Sequence, residues 1–155
     1  MRSTAFGNTT LELRKYHRGF FKKNTFAYKV VGGIATESTK ESQRFWVGGG
    51  NSLRGYDGGY FQGREKLVGT IENRTQINDF LGFVLFADAG RAWNQKGRDK
   101  SYTHDASFPD DIATSVGLGL RLNTPIGPLR FDFGWPVGDK EESGMKFYFN
   151  MGQSF

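Results

Sequence analysis

The fold and the candidate site are both predicted from the stretch Gly48-Gly49-Gly50-Asn51-Ser52-Leu53-Arg54-Gly55-Tyr56. Before and after this stretch, polar and apolar residues alternate along the chain; within it the alternation stops and glycine takes over. Glycines on both sides of Arg54 allow the backbone to turn sharply and to direct one long cation back toward the body of the protein. The stretch therefore predicts a loop between strands that carries a functional arginine.

The composition limits the fold classes that need to be considered. The 155 residues fit one domain, spanning 1–155, and the absence of cysteine excludes a disulfide framework or a thiolate metal site. The chain has 22 glycines and 15 phenylalanines; phenylalanine and glycine with few aliphatic residues favour short pleated strands. No apolar run approaches the roughly 20 residues of a membrane-spanning helix. A net charge of +5 is compatible with nucleic acid or an anionic membrane surface as a partner.

Eight alternating segments, each bounded by turn residues, predict an antiparallel all-β fold. The segments are 5–17, 25–36, 42–49, 65–77, 80–93, 112–123, 127–137 and 144–155. The connections at 78–79 and 123–126 are tight turns, whereas those at 50–64 and 94–111 are long and polar. Short turns at one end and long loops at the other are typical of transmembrane β-barrels.

The residues on the apolar face of each segment distinguish a membrane barrel from a soluble one. A soluble antiparallel sheet shows the same alternation, with its apolar face inside. Here the apolar faces of the later segments carry no charge in their middle, where a charge in a bilayer costs roughly 2–4 kcal/mol. Aromatic residues also lie near segment ends, where interfacial girdles form: Tyr16, Trp93, Trp135 and Phe155. These patterns predict an up-and-down transmembrane barrel, with a soluble barrel or sandwich as the alternative.

Four blocks of sequence resemble one family in order and spacing. The stretch 48–56 resembles the Arg-Gly-Tyr/Phe loop motif of the BamA-like superfamily of outer-membrane assembly and secretion barrels. The stretch 69–74 resembles its Gly-x-x-Glu-x-Arg strand, 86–93 its Phe-x-Asp-x-Gly strand, and the two stretches 117–121 and 127–132 together resemble its penultimate hairpin. The last segment is similar to the terminal strand signal that barrel assembly machinery reads. Its signal residues would be Phe147, Phe149, Met151 and Phe155.

The resemblance implies a location in the outer membrane of a Gram-negative type cell, in contact with outer-membrane lipids. It implies a role in inserting outer-membrane proteins or in exporting protein, with client proteins or a passenger as partners. A passive pore or a membrane-anchoring barrel is the alternative. The sequence predicts no enzyme, no cofactor and no metal site, because no catalytic or ligating spacing is present. Nucleic acid is not expected as a partner, because the aromatic residues are segregated from the basic ones.

The chain also departs from the family pattern. The resemblance implies sixteen strands preceded by periplasmic POTRA domains, whereas the chain shows eight segments, which match the second half, and no POTRA domain. It is therefore an isolated half, one partner of a homodimer, or a small barrel that closes alone. Matched short turns and the terminal signal favour a small barrel, closed alone or as a dimer. An eight-stranded barrel is filled by its own side chains, so the loop at 50–64 could not enter it.

Alternate residues of a strand lie on opposite faces, and this strand parity gives Arg54 two expected partners. Glu72 and Asp88 both fall on the polar face of neighbouring segments, just after the loop, and a guanidinium can grip carboxylates through a fixed fork of donors. The resemblance implies that this contact locks the loop in a barrel that opens sideways. The alternative is an exposed turn whose arginine contacts nothing. The remaining polar-face charges line a pore or neutralise one another: Glu12, Arg14, Lys29, Lys66, Arg74, Arg121, Arg130, Asp132 and Lys146.

Overall fold

Antiparallel strands make up most of the computed structural model, which describes residues 7–36, 41–93, 111–138 and 143–152. The described strands are β1 (Asn8–Arg18), β2 (Asn24–Ala35), β3 (Phe45–Val47), β4 (Phe61–Gly63), β5 (Glu65–Gln76), β6 (Leu81–Trp93), β7 (Ala113–Thr124), β8 (Gly127–Val137) and β9 (Lys146–Met151). A single 3₁₀ turn, Glu41–Gln43, precedes β3. Among the described residues, no helix has the length and apolar character needed to cross a membrane.

Seven of these strands form one sheet in the order β1-β2-β5-β6-β7-β8-β9, and β3 and β4 form a separate hairpin. Every pairing between neighbours is antiparallel. The predicted all-β, up-and-down architecture is confirmed, with nine described strands against the eight segments expected. The predicted segment 42–49 does not join the sheet: β2 pairs directly with β5, and the segment between them folds back as the short hairpin. Its alternation was real, but it reflects packing against the sheet and not membership of it.

The connections alternate in length as predicted. Short turns join β1 to β2, β5 to β6 and β7 to β8, so these turns lie at one end of the sheet. The connections from β2 to β5 and from β6 to β7 are long and lie at the opposite end. Asn78 closes the β5–β6 turn, because its side-chain oxygen accepts hydrogen bonds from the backbone nitrogens of Phe80 and Leu81.

The sheet has one polar, buried face and one apolar, exposed face. We call the first the inner face; its buried residues include Thr70, Glu72, Val84, Phe86, Asp88, Ser115 and Asp132. On the opposite, outer face, Ile71, Leu85 and Phe147 are each about half exposed, at 51%, 50% and 53%. An apolar surface of this extent on a soluble protein would be an aggregation hazard, whereas hydrocarbon covers it at no cost. The predicted parity is confirmed.

The phenylalanines of β8 and β9 contact one another on the outer face of the sheet. The ring centroids of Phe131 and Phe149 lie 5.2 Å apart, and those of Phe133 and Phe147 lie 5.1 Å apart. Trp135 remains partly exposed near the end of β8, as a girdle residue would. Trp93 was also expected to lie in an interfacial girdle, but this expectation is wrong, because the residue is only 1% exposed.

The apolar core lies between the inner face and the segment that connects β2 to β5. Val47 and Phe61 of the hairpin, together with Leu53 and Tyr56 of the loop, pack against Val68, Ala92 and Ala113 of the sheet. The connecting segment is therefore a structural layer of its own, held by the hydrophobic effect in addition to the polar contacts described below.

The described strands leave the sheet open. β1 and β9 are its two edges, and all residues of β1 are exposed. The expectation that the chain closes on itself as an eight-stranded barrel is therefore wrong for this structure. Because the seven-stranded sheet is not closed, its inner face has room for the loop that a closed eight-stranded barrel would exclude.

Candidate functional site

The loop at 48–56 is held in shape by its own backbone. The backbone nitrogen of Gly49 donates hydrogen bonds to the carbonyl oxygens of Leu53 and Tyr56, at 3.1 and 3.0 Å. The hydroxyl of Ser52 bonds to both the nitrogen and the oxygen of Gly48, at 2.9 Å each. The loop therefore reaches the sheet as a compact unit in which Arg54 is presented from a defined position.

Glycines on both surfaces allow the loop to approach the sheet closely. Gly55 has a φ of +107°, and a Cβ built there would lie 2.9 Å from the Cβ of Ser115 and 3.0 Å from the nitrogen of Pro136. A Cβ on Gly134 of β8 would lie 2.7 Å from the nitrogen of Gly55. Two backbones are thus in direct contact at this point, where only glycine fits.

Arg54 lies between two buried carboxylates on neighbouring strands. Its Nε and Nη2 donate to Oδ2 and Oδ1 of Asp88, each at 2.8 Å, which is a bidentate pair. Its Nη1 donates to Oε1 of Glu72 at 2.6 Å, and its backbone nitrogen donates to Asp88 at 3.1 Å. The guanidinium carbon lies 3.5 Å from the ring centroid of Phe86, a cation–π contact. The structure thus brings Arg54 to both residues that parity indicated.

A third acid, Asp132 of β8, completes the charge cluster. Its Oδ1 lies 3.9 Å from Nη1 of Arg54, and its two oxygens pair with Arg121 at 2.8 Å and Arg130 at 3.1 Å. Arg74 pairs with Glu72 at 2.7 Å. We call these seven residues the lumenal cluster; they are Arg54, Glu72, Arg74, Asp88, Arg121, Arg130 and Asp132. The side chains of all three acids are 0% exposed, so each charge depends on its partners and not on water.

The charge of Arg54 itself is secured by this environment. Burial alone would lower the pKa of its guanidinium, but the hydrogen bonds and charge of Asp88 and the charge of Glu72 raise that pKa above its ordinary value. The contacts that hold Arg54 in place therefore also favour its charged form.

The loop is also tied to the last described strand. The hydroxyl of Tyr148 on β9 donates to the carbonyl oxygen of Tyr56 at 2.6 Å and accepts from the backbone nitrogen of Gly55 at 3.0 Å. Lys146 of the same strand pairs with Asp57 at 3.0 Å. The loop therefore contacts β5, β6 and β8 through Arg54, and β9 through its backbone and Asp57.

The predicted loop residues are placed as follows. Leu53, Arg54, Gly55 and Tyr56 are all buried, and the carbonyl of Gly50 accepts from Arg130 at 3.4 Å. The predicted terminal-signal residues Phe147, Phe149 and Met151 lie exposed on the outer face of β9, whereas Phe155 lies outside the described residues. Their roles remain predictions.

Sequence reasoning did not assign Asp132 to Arg54, and it missed Tyr148 as a loop contact. Parity placed both residues on the polar face, but only as two among many. Of the other polar-face charges, Glu12 and Arg14 pair with each other on the exposed strand β1. Nothing in the sequence reveals that Asp132 of β8 and Tyr148 of β9 lie level with the loop along the strand direction. Among the described residues, no group of acids and histidines is arranged to hold a metal ion.

Comparison with known families agrees with this geometry. The Omp85 superfamily domain matches residues 2–155. The chain belongs to the Omp85 superfamily. Its strands are thus those of an outer-membrane β-barrel, and the predicted resemblance is confirmed.

Individual relatives are more distant. The chain is 27% identical over 163 residues to the outer membrane protein assembly factor BamA of Nitratidesulfovibrio vulgaris, covering 97% of this chain and 20% of that protein. It is 27% identical over 128 residues to the chloroplastic outer envelope protein 80 of Arabidopsis thaliana, covering 82% of this chain and 17% of that protein. The chain thus spans about a fifth of the length of these relatives.

A solved structure shares the fold. The crystal structure of BamA from Haemophilus ducreyi lacking POTRA domains 1–3 superposes with a TM-score of 0.74 at 21% identity, covering 92% of this chain and 34% of that one. The described strands thus share the fold of about a third of that chain.

Proposed function

We propose that this chain forms part of an outer-membrane barrel that assists the insertion of outer-membrane proteins or the export of protein across that membrane. Membership of the Omp85 superfamily supports the proposal, and so do the relatives named as outer membrane protein assembly factors. The activity is exerted without covalent chemistry, by a barrel wall whose seam can accept client strands. Its partners are outer-membrane lipids and unfolded client proteins or a passenger.

The main structural support for the proposal is the set of hydrogen bonds from the guanidinium of Arg54 to Asp88 and Glu72. Hydrogen bonds between adjacent strands fix register but leave the curvature of a sheet free to change. The loop adds contacts that reach over several strands, from Glu72 on β5 through Asp88 on β6 to Asp132 on β8. It braces these strands as one unit and is also tied to the edge strand β9 through Tyr148, so that separation is confined to the pairing of the edges with further strands. A wall that opens only at its edge is what strand insertion requires.

A passive pore is less well supported. Leu53, Arg54 and Tyr56 are buried on the inner face, so the loop fills the space that an open channel would need along this part of the sheet. The lumenal cluster neutralises most of its own charge, which favours a packed interior over a conducting one.

The open edges need partners in a bilayer. A strand edge in hydrocarbon leaves backbone groups without hydrogen bonds, at several kcal/mol each. β1 and β9 therefore pair with further strands of a larger barrel or with a second copy of this chain. The native mass of the detergent-solubilised protein distinguishes these arrangements: twice the mass of one chain indicates a homodimer.

The insertion activity is tested by reconstituting the full chain in liposomes and adding a urea-unfolded client barrel. Folded client is counted over time as the fraction that migrates fast on an unheated gel. We expect faster folding than in empty liposomes, slower folding with Arg54→Lys, and no change with Arg14→Lys on exposed β1. A rate equal to that of empty liposomes, together with release of a trapped small dye, would instead identify a passive pore.

A further inference from the structure

A cavity of about 310 Å³ lies on the inner face at the end of the sheet where the short turns are. It extends from the β1–β2 turn to the residue after β9 and is distinct from the contact between Arg54 and Asp88. Four cationic side chains line it: Lys23, Arg74, Arg121 and Arg130. Of the described residues that line it, none is acidic. Three of these cations, Arg74, Arg121 and Arg130, also pair with acids of the lumenal cluster, but the cavity that they line with Lys23 lies outside the contact between Arg54 and Asp88.

The acids of the lumenal cluster do not compensate these cations fully. Asp132 is shared by Arg121 and Arg130 and also lies 3.9 Å from Arg54. Glu72 is shared by Arg54 and Arg74. Within the part of the chain that the structure describes, the ion pairs of the cluster thus set four arginines against three carboxylates, before Lys23 is added. An enclosed excess of cations calls for an anion.

The strand register makes the imbalance more severe. Arg121 of β7 and Arg130 of β8 are directly opposite each other in the antiparallel pair. Like charges in this position are destabilising. Nη2 of Arg121 and Nε of Arg130 are buried and have no hydrogen-bond partner among the described residues. Buried donors that remain unsatisfied cost free energy, which adds to the cost of holding these two cations side by side.

We propose that this recess, which we call the turn-end site, binds a phosphate-type oxyanion. Guanidinium groups present pairs of parallel donors that match a phosphate, and Arg121 and Arg130 offer such donors from adjacent strands. Lys23 closes the site from the turn as a more mobile point charge. The same chemistry serves free phosphate and the phosphate of an anionic lipid headgroup. The turn-end site does not depend on insertion activity, so its failure and that of the proposed function are separate results.

Binding is measured by calorimetric titration of inorganic phosphate into the refolded full chain in a zwitterionic detergent, with chloride holding the ionic strength constant. A second titration uses dihexanoyl phosphatidylglycerol below its micellar concentration. We expect saturable phosphate binding that chloride does not reproduce. Tighter binding of the lipid, displaced by phosphate, would assign the site to a headgroup; binding of phosphate alone would assign it to the free ion.

Substitutions locate the site. Lys23→Gln should weaken binding about tenfold, the effect of one charge-assisted contact, and Arg121→Gln should weaken it further. Lys22→Gln, in the same turn but not among the residues lining the cavity, is the matched control and should change affinity less than about twofold. Because Arg121→Gln also breaks a pair with Asp132, the variant Lys23→Gln carries the test.

Chemical modification of the unsubstituted protein tests the same site without a substitution. Phenylglyoxal modifies accessible arginines, and bound phosphate should protect Arg74 and Arg121 while leaving Arg14 on β1 reactive, as read by mass spectrometry. Absence of saturable binding by either ligand, or equal weakening by Lys22→Gln and Lys23→Gln, would overturn the proposal.

Discussion

Replacing Arg54 with alanine tests the central contact of the site. The substitution removes three side-chain hydrogen bonds, two to Asp88 at 2.8 Å and one to Glu72 at 2.6 Å. In the unsubstituted chain Glu72 and Asp88 are 0% and 2% exposed, so the cation is lost from carboxylates that are shielded from water. Removing one partner from a buried ion pair typically costs about 3–5 kcal/mol, because the remaining charge stays buried. Glu72 keeps Arg74, so the loss is borne mainly by Asp88.

The free energy of unfolding is measured by urea titration of the refolded chain in detergent, followed by tryptophan fluorescence, with mobility on unheated gels as a second readout. Arg54→Lys keeps the charge but not the fork, so it should recover only part of the loss. Arg14→Ala is the control: Arg14 also pairs with a carboxylate, Glu12, but both are solvent-exposed and the change should be small. If Arg54→Ala and Arg14→Ala unfold at the same urea concentration, the buried lock is refuted.

Two further substitutions test the packing of the loop and the orientation of the sheet. Gly134→Ala places a Cβ 2.7 Å from the backbone nitrogen of Gly55 and should destabilise the chain by about 1–3 kcal/mol in the same titration, whereas Gly58→Ala, with no atom within 4 Å, should be nearly neutral. A neutral Gly134→Ala would show that the loop does not press on β8. Leu85→Arg, on the outer face near the middle of β6, should cost roughly 2–4 kcal/mol in liposomes, against about 0–1 for Phe80→Arg in the turn; equal costs would contradict a lipid-facing outer surface.

Much of the site could be predicted because parity is a local property. Glu72 and Asp88 fall on the polar face of their strands whatever the register, and a glycine-flanked arginine must lie in a loop. Asp132 and Tyr148 satisfy the same parity, yet β8 lies two strands away from β6 and β9 lies three away. Whether residues so far apart reach one guanidinium or one loop carbonyl depends on the height of each strand in the sheet, which alternation does not encode.

For the segment 42–49, too, alternation along the sequence did not indicate which part of the chain the segment packs against. A period of two indicates that one side of an extended segment is buried, but it does not indicate what buries it. In Phe45–Val47 the buried residues pack against the inner face, and the strand pairs only with β4. The large sheet therefore has seven strands, because the segment 42–49 belongs to the separate β3–β4 hairpin.

The amino-acid sequence by itself determined the seven strands of the large sheet, its two faces, the alternation of short and long connections, and the family. Each of these depends on neighbours within a few residues. The tertiary structure alone decided that the β2–β5 connection lies on the inner face, that Asp132 and Tyr148 join Arg54 and its loop, and that two arginines face each other at the turn end. These contacts join residues more than 70 positions apart in the chain or depend on strand register, so they arise only when the whole sheet has assembled.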